Sequence, residues 1–323
     1  MPETVLTRLR EGGKRALAEA LARIESSPTA PETVDLLDEA YHDARGHVIG
    51  ITGPPGVGKS TLIAALIDAY RARGETVGVI AIDPSSRRSG GALLGDRVRI
   101  DTDPSDQGVF VRSMAARDRL GGLAAITASA VVLMRAVFDR VVVETVGVGQ
   151  SETDIASVAD SVLLCVQPGS GDSLQYMKAG IAEIPDVAIV TKADLGAIAV
   201  QTRRDLRSAL TTTGSATGGR KKDAWQVPVL SITAGEREGV IGLIEVLDRH
   251  REHLLSGPLA DRRRAQAETW LIGSLQEAFG REGLKLSEAM PDGLRLARDQ
   301  SPFRRLESSY RALTARISGQ SVS

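Results

Sequence analysis

The stretch from Gly53 to Thr61 carries the residues with the clearest chemistry. It reads GPPGVGKST, which fits the phosphate-loop pattern G-x-x-x-x-G-K-[ST]. Its glycines let backbone N–H groups converge on phosphate oxygens, and the helix that should follow adds partial positive charge. We expect Lys59 to neutralise β- and γ-phosphate oxygens and Ser60 to bind Mg²⁺. The predicted phosphate contacts are Gly53, Pro54, Pro55, Gly56, Val57, Gly58, Lys59, Ser60 and Thr61.

Three acidic residues could complete a magnesium site beside this loop. Asp83 ends the apolar run VGVIAID, Glu144 ends RVVVE, and Asp96 lies in the stretch SSRRSGGALLGDR. The carboxyl ends of parallel strands face the nucleotide crevice in α/β sheets, and Mg²⁺ prefers oxygen ligands. The sequence therefore predicts a metal site formed by Ser60, Asp83, Asp96 and Glu144. Each carboxylate alone could instead be a helix cap or a surface charge.

The stretch ETVGVGQSE, residues 144–152, is typical of a nucleotide-sensing switch. Gly147 comes three residues after the acid, where a glycine N–H can bond the γ-phosphate. Gln150 could orient an attacking water, as a glutamine does in some GTPases. The predicted catalytic residues are Lys59, Glu144 and Gln150. A structural role for Gln150 stays open, because a two-residue insertion separates it from Gly147.

The stretch TKADL, residues 191–195, points to the base of the nucleotide. An [NT]-K-x-D motif after a late strand reads guanine in P-loop GTPases. Asp194 would accept hydrogen bonds from guanine N1–H and the exocyclic amine, while the stem of Lys192 lies along the base. Thr191 replaces the commoner Asn, as in the GTPases of the signal recognition particle. Ser231, in SIT, occupies the place of a weaker second guanine motif, so the predicted ligands are GTP and GDP.

Apolar runs rich in β-branched residues alternate with helical stretches around these motifs. The runs are HVIGIT, VGVIAID, GVFVRSM, RVVVET, SVLLCVQ, VAIVTK and VPVLSIT. Runs that are apolar almost throughout are typical of strands covered on both faces. The pattern predicts an α/β class with a doubly wound, mostly parallel sheet.

Helical patterns flank this region on both sides. We predict an N-terminal helical extension over residues 1–45, the nucleotide-binding domain over 46–255 and a C-terminal helical arm over 256–323. The stretch SGPLADRRR, residues 256–264, reads as a linker. His250 and His253 lie three residues apart on a predicted helix, where a solvated face is favoured over a weak metal site.

The composition excludes several classes of protein. The net charge is −1 over 323 residues, which indicates neither a nucleic-acid surface nor an anionic-membrane surface. No apolar run reaches the roughly 18–20 residues of a membrane span, and the N-terminus lacks the apolar core of a secretory signal. The single cysteine, Cys165, cannot form an internal disulfide and fits a core position. These observations predict a cytoplasmic protein.

Taken together, the motifs resemble one family, the MeaB/ArgK/MMAA GTPases. These are G-protein chaperones of adenosylcobalamin-dependent acyl-CoA mutases. The resemblance covers nearly the whole chain. The stretches that carry it are ITGPPGVGKSTLI, AIDPSSRRSGGALLGDRVRI, VVVETVGVGQSE, PGSGDSLQYMKAGI, RALAEALARIES and TWLIGSLQ.

The resemblance implies more than nucleotide hydrolysis. It implies a homodimer held by the C-terminal arm, and GTP-dependent gating of adenosylcobalamin delivery to a mutase, with protection or reactivation of that enzyme. Its partners would be the acyl-CoA mutase and an adenosyltransferase. Three switches would respond to nucleotide, over residues 83–99, 144–153 and 168–180. The form GGALLGDR looks most like the G-proteins of isobutyryl-CoA-type mutases.

Two other functions share these phosphate motifs. A metal-insertion GTPase of the hydrogenase or urease type would carry a Cys/His metal site. A P-loop kinase would transfer the γ-phosphate to a bound acceptor and would have no use for TKAD. No strong catalytic base is evident, so intrinsic hydrolysis should be slow. A nucleotide-regulated binding protein with slow turnover therefore overlaps with the main hypothesis.

Overall fold

The computed structural model describes residues 4–84, 100, 102–116, 125–145, 154–169, 184–216, 225–288 and 293–317. The strands are β1 His47–Thr52, β2 Val77–Pro84, β3 Val109–Ala116, β4 Arg140–Glu144, β5 Ser161–Val166, β6 Val187–Val190 and β7 Val229–Ser231. The α-helices are α1 Val5–Glu11, α2 Gly13–Ser26, α3 Pro31–His42, α4 Lys59–Ala72, α5 Ala125–Val137, α6 Ala197–Ala216, α7 Val240–Leu255, α8 Pro258–Glu288 and α9 Pro302–Ile317.

The strands form one seven-stranded sheet in the order β3-β2-β4-β1-β5-β6-β7, and every pair of neighbours is parallel. The predicted α/β class is thereby confirmed. Strand β1, which leads into the phosphate loop, lies between β4 and β5. The loop therefore opens at the middle of the carboxyl edge of the sheet, the edge at which α/β proteins bind ligands.

Side chains of β5 alternate between two apolar clusters, one on each face of the sheet. Leu163 belongs to the cluster that includes Leu66 of α4 and Leu247 of α7. Leu164 belongs to the other, with Leu206 of α6. All of β5 is buried, as are β1 and β4. Cover on both faces explains the uninterrupted apolar runs of the sequence.

The chain divides into two compact units. One unit contains residues 47–123 and 138–259, and so contains the whole sheet. The other contains residues 1–46, 124–137 and 260–323. Its C-terminal helices share an apolar cluster in which Leu271, Leu275 and Leu313 are fully buried. Among the described residues, no helix is both long enough and apolar enough to cross a membrane.

Two details of the chain differ from the prediction. The linker predicted over residues 256–264 is wrong, because α8 already begins at Pro258. Proline suits the first turn of a helix, and the following leucine, alanine and arginines favour helix. The Gly- and Thr-rich residues 211–225 favour a surface loop, yet α6 continues to Ala216. The pattern of residues 172–184 predicts a helix, and that stretch lies almost wholly outside the described residues.

Candidate functional site

The phosphate loop owes its path to glycines in left-handed backbone conformations. Gly53 has φ 143°, and a Cβ at this position would lie 2.3 Å from the carbonyl oxygen of Cys165 on β5. Only glycine lets the loop lie this close to the neighbouring strand. Gly58 has φ 102° and directly precedes α4. The backbone N–H groups of the first turn of α4 therefore face the loop, as an anion site requires.

Lys59 places a positive charge inside this loop. Its side chain is buried at 6% exposure, and Nζ donates to the carbonyl oxygens of Gly53 at 2.7 Å and Pro54 at 3.2 Å. Burial of an ammonium group is costly unless it is paired. Anionic phosphate oxygens would be stronger acceptors for it than the neutral carbonyls of the loop.

Ser60, in the first turn of α4, meets Glu144, the last residue of β4. The Ser60 hydroxyl donates to Oε1 of Glu144 at 3.3 Å, and Glu144 is buried at 8% exposure. The parallel pairing of Ile51 with Glu144 brings the acid beside the loop. Just beyond it, Thr145 donates from Oγ1 to the Thr52 hydroxyl at 3.2 Å. This group of hydroxyl and carboxylate oxygens fits the ligand preference of Mg²⁺.

The structure places the other predicted metal and switch residues only in part. Asp83 lies near the end of β2, two residues beyond the position paired with Glu144, at the same edge of the sheet. Its side chain is outside the described part of the structure. Asp96, Gly147 and Gln150 lie outside the described residues, so their predicted roles stay predictions.

The predicted base-reading segment lies at the ends of β6 and β7. Thr191 is buried, and both its N–H and its hydroxyl donate to the carbonyl oxygen of Val166, at 2.9 Å and 3.2 Å. Lys192 has φ 51°, an uncommon conformation for a non-glycine residue. It precedes a short 3₁₀ helix, Ala193–Leu195, which presents Asp194 at the exposed surface.

Ser231 lies beside this segment, since it pairs with Val190 across β6 and β7. The next residue, Ile232, accepts a hydrogen bond from Ala193 N–H at 3.2 Å. The two stretches predicted to form the guanine site are thus neighbours in the structure.

Sequence reasoning missed Gln167, which follows β5 directly. Its Oε1 accepts a hydrogen bond from Lys192 Nζ at 3.0 Å. The available signal was a polar residue just after a buried strand at the ligand-binding edge.

The structure confirms the core position predicted for Cys165. The side chain is fully buried on β5, and burial raises the pKa of its thiol to about 12, although the charge of Lys59 acts in the opposite direction. A fully buried thiol with this pKa stays protonated at neutral pH, as is typical of a cysteine in a core.

The opposite edge of the sheet holds a chain of polar residues. His47 Nε2 lies 2.7 Å from Ser161 Oγ, which lies 2.6 Å from His250 Nδ1. His250 Nε2 lies 3.4 Å from Oδ1 of Asp186. The expectation of a solvated His250 is wrong, because the residue is 1% exposed. Within the described ranges, no group of three or more His, Cys, Asp or Glu side chains could hold a metal.

The pattern of α7 explains why His250 is buried. Leu243, Leu247 and Leu254 mark the apolar stripe of the helix, and His250 lies on the same stripe. Its Ser161 and Asp186 neighbours give a serine–histidine–aspartate sequence of contacts. Ser161 and His250 are both buried at this edge, so no substrate can reach the serine hydroxyl there. The arrangement is structural.

Comparison with known proteins gives the site a family context. The sequence profile of the family described as "Methylmalonyl Co-A mutase-associated GTPase MeaB" matches residues 17–283. The match includes the phosphate loop, the acid at the end of β4 and the TKAD segment.

Individual relatives extend over most of the chain. A protein of Pyrococcus horikoshii named as a GTPase is 40% identical over 269 residues, covering 82% of this chain and 83% of its own. GTPase ArgK of Escherichia coli is 35% identical, covering 84% and 83%. The mouse mitochondrial methylmalonic aciduria type A homolog is 33% identical, covering 85% of this chain and 69% of its own.

A solved structure described as a LAO/AO transport system kinase is similar over nearly the full length. It has a TM-score of 0.66 and 27% sequence identity, and the match covers 97% of this chain and 96% of that one.

Proposed function

This chain belongs to the MeaB family of methylmalonyl-CoA mutase-associated GTPases, and we propose that it hydrolyses GTP to drive a conformational signal to a cobalamin-dependent acyl-CoA mutase. The observation that carries this proposal is the meeting of Lys59, Ser60 and Glu144 at the carboxyl edge, with TKAD at the end of β6 on the same edge. The proposed phosphate-binding and base-binding elements then follow β1 and β6, which are separated only by β5 in one sheet.

The chemistry asks mainly for positioning and charge neutralisation. Backbone N–H groups after Gly58 and the ammonium of Lys59 would bind the phosphate oxygens. Ser60 and Glu144, joined by Asp83 and Asp96, would hold Mg²⁺, which supplies further neutralisation of the phosphate charge when bound. We assign water positioning to Gln150 and γ-phosphate sensing to Gly147, as the family motif suggests.

Guanine recognition is assigned to Asp194, with Lys192 along the base and Ser231 nearby. The Thr191 hydroxyl is committed to a backbone carbonyl, so it supports the segment and is not proposed as a direct base contact. The exposed carboxylate of Asp194 offers two acceptor oxygens for the guanine N1–H and amine.

The signalling output is the finer part of the proposal. We propose that GTP binding and hydrolysis gate adenosylcobalamin delivery to the mutase, and protect or reactivate it, with an adenosyltransferase as donor of the cofactor. The chain would act as a homodimer through residues 256–323, with residues 1–45 and 46–255 as the other two domains. Isobutyryl-CoA mutase is the proposed type of partner, and a cytoplasmic location fits this role.

The decisive experiment measures phosphate release from GTP alone and with purified cobalamin-dependent mutases of both types. A partner should stimulate hydrolysis and form a complex whose stability differs between GDP and a non-hydrolysable GTP analogue. Chains with Lys59→Ala should lose the stimulated turnover. Absence of both complex formation and rate change with every mutase would contradict the signalling proposal.

A second candidate is phosphoryl transfer, which the similar structure described as a transport system kinase favours. GTP labelled at the γ-phosphate distinguishes the two. Hydrolysis delivers the label to inorganic phosphate, whereas a kinase delivers it to an acceptor. Label recovered on a protein or small-molecule acceptor would favour a kinase over a GTPase switch.

A further inference from the structure

The ammonium of Lys192 has a partner that the guanine motif itself does not specify. We propose that Gln167 is a positioning residue that holds the Lys192 stem ready for the purine base. This inference rests on the proposed function, because it concerns the same nucleotide site. It adds a residue outside TKAD whose role is to fix the conformation of the base-contacting lysine.

The residue before Lys192 and the ammonium of Lys192 are bonded to consecutive residues at the end of β5. Thr191, just before the lysine, is held by its N–H and its hydroxyl to the carbonyl oxygen of Val166. The Lys192 ammonium is held 3.0 Å from Oε1 of Gln167, the next residue along. The stem must therefore run from the end of β6 towards the end of β5.

The backbone of Lys192 is fixed as firmly as its tip. Its left-handed conformation is disfavoured for a residue with a Cβ, so the surroundings must impose it. Ala193 N–H donates to the carbonyl oxygen of Ile232 at 3.2 Å, and Leu195 N–H donates to that of Lys192 at 3.1 Å. The direction in which the side chain leaves the backbone is thereby defined.

A restrained stem matters because lysine is among the side chains with most rotamer freedom to lose. Lys192 is exposed, so without an acceptor its four-carbon stem would sample many conformations and lose them when a base binds. Gln167 removes part of that loss before binding. The effect should fall on nucleotide affinity and not on the chemical step.

The same geometry predicts which nucleotides are affected. The stem would contact the flat face of the base, which guanine, hypoxanthine and xanthine share. Asp194 would contact the edge groups in which these bases differ. Loss of Gln167 should therefore lower the affinity for GDP, IDP and XDP by similar factors. A change at Asp194 should instead alter the preference among these three nucleotides.

The test compares Gln167→Met, which keeps length but lacks the acceptor, with Gln167→Glu, which keeps an acceptor for the ammonium. Calorimetry or a fluorescent analogue gives Kd for the three diphosphates, and steady-state assays give KM and kcat for GTP. We expect Gln167→Met to raise the Kd of each diphosphate by about three- to tenfold and to raise the KM for GTP. The kcat should stay within about twofold of the wild-type value. Gln167→Glu should restore wild-type affinity.

Gln201→Met is the matched control, since Gln201 also pairs through its amide, with Asp205 at 2.8 Å on the exposed face of α6. It should change none of these values. Unchanged Kd in Gln167→Met, or equal losses in the Met and Glu variants, would overturn the positioning role. Asp194→Asn tests the underlying site separately: unaltered selectivity between GDP and XDP would refute the guanine assignment, whatever Gln167 does.

Discussion

At the amino-terminal edge of the sheet, polar side chains are bonded chiefly to one another. His47, Ser161, His250 and Asp186 form one chain of contacts. At the carboxyl edge, Lys59 is bonded to carbonyls of its own loop, while Ser60 and Glu144 meet at 3.3 Å, which is long for two oxygens. The polar groups at the amino-terminal edge stabilise the fold. Those at the carboxyl edge would form stronger bonds with a phosphate and a cation than they form with one another.

Electrostatics follow the same division. At the amino-terminal edge, Arg140 is 2% exposed and bonds Glu75 through Nε and Asp248 through Nη2 at 2.7 Å. Burial alone would raise the pKa of Asp248, but the hydrogen bond from Arg73 and the charge of Arg140 hold that pKa below its ordinary value. These charges compensate within the protein. At the carboxyl edge, the proposed compensation comes from ligand.

The largest expected effect comes from removing charge at the carboxyl edge. Lys59→Ala should lower kcat for GTP hydrolysis by at least about a hundredfold, because the ammonium is proposed to neutralise charge on the transferred phosphate. The melting temperature should fall little, since Lys59 bonds neutral carbonyls of its own loop, at Gly53 and Pro54.

Phosphate-release assays and calorimetry check this prediction. Lys285→Ala is the control, because that lysine is exposed on α8 and pairs only locally with Glu282 at 2.9 Å. Near-normal turnover in Lys59→Ala would end the assignment of the loop as a catalytic phosphate site.

A substitution at the amino-terminal edge of the sheet should lower stability and leave turnover unchanged. Arg140→Met should reduce the free energy of unfolding by about 3 kcal/mol, because two partly buried carboxylates lose a common partner. Turnover per folded molecule should stay near the wild-type value, since Arg140 begins β4 and Glu144 ends it.

Urea unfolding and active-site titration separate these two quantities. Arg15→Met is the matched control, as Arg15 pairs with Glu19 on an exposed helix surface, where we expect a change below about 0.5 kcal/mol. Loss of turnover beyond the unfolded fraction in Arg140→Met would show that the two edges of the sheet are energetically coupled and do not separate stability from activity.

Much of this division could be predicted from the sequence. Strand ends agree with the apolar runs within a residue or two, because burial on both faces forces continuous apolar composition. The phosphate loop and TKAD are local patterns, and each lies at the strand end where its motif predicts it. Phosphate chemistry depends on residues that are close in sequence, which is why it could be recognised.

The missed features depend on which strands are neighbours. Gln167 reaches Lys192 because β5 pairs with β6 in a register that sets Val166 opposite Val190. The spacing of the two residues along the chain does not reveal that pairing. The solvated position predicted for His250 is wrong because the position of the residue on the apolar stripe of α7 outweighs its polarity. A polar residue on a buried stripe predicts a buried partner, and Ser161 is that partner.

The smallest expected effect concerns the protonation of His47. Burial is the main cause that lowers the pKa of this imidazole to about 3, against an ordinary value of 6.5. Asp160 opposes the shift, and three cationic or titratable neighbours reinforce it: Arg140, Arg251 and His250. With His47 neutral, its Nε2–H can donate to Ser161 Oγ, which can in turn donate to His250 Nδ1.

Below pH 6.5 the unfolded chain therefore binds a proton at His47 that the folded chain does not, until the pH approaches 3. This contribution to stability is complete above pH 6.5 and is lost as the pH falls towards 3, with a slope of at most about 1.4 kcal/mol per pH unit. Urea unfolding at pH 7, 6 and 5 should show a shallower pH dependence for His47→Gln than for wild type. Equal slopes in wild type and His47→Gln would mean that His47 titrates in the folded protein as it does in the unfolded chain, which would remove the contrast between the two edges at this buried residue.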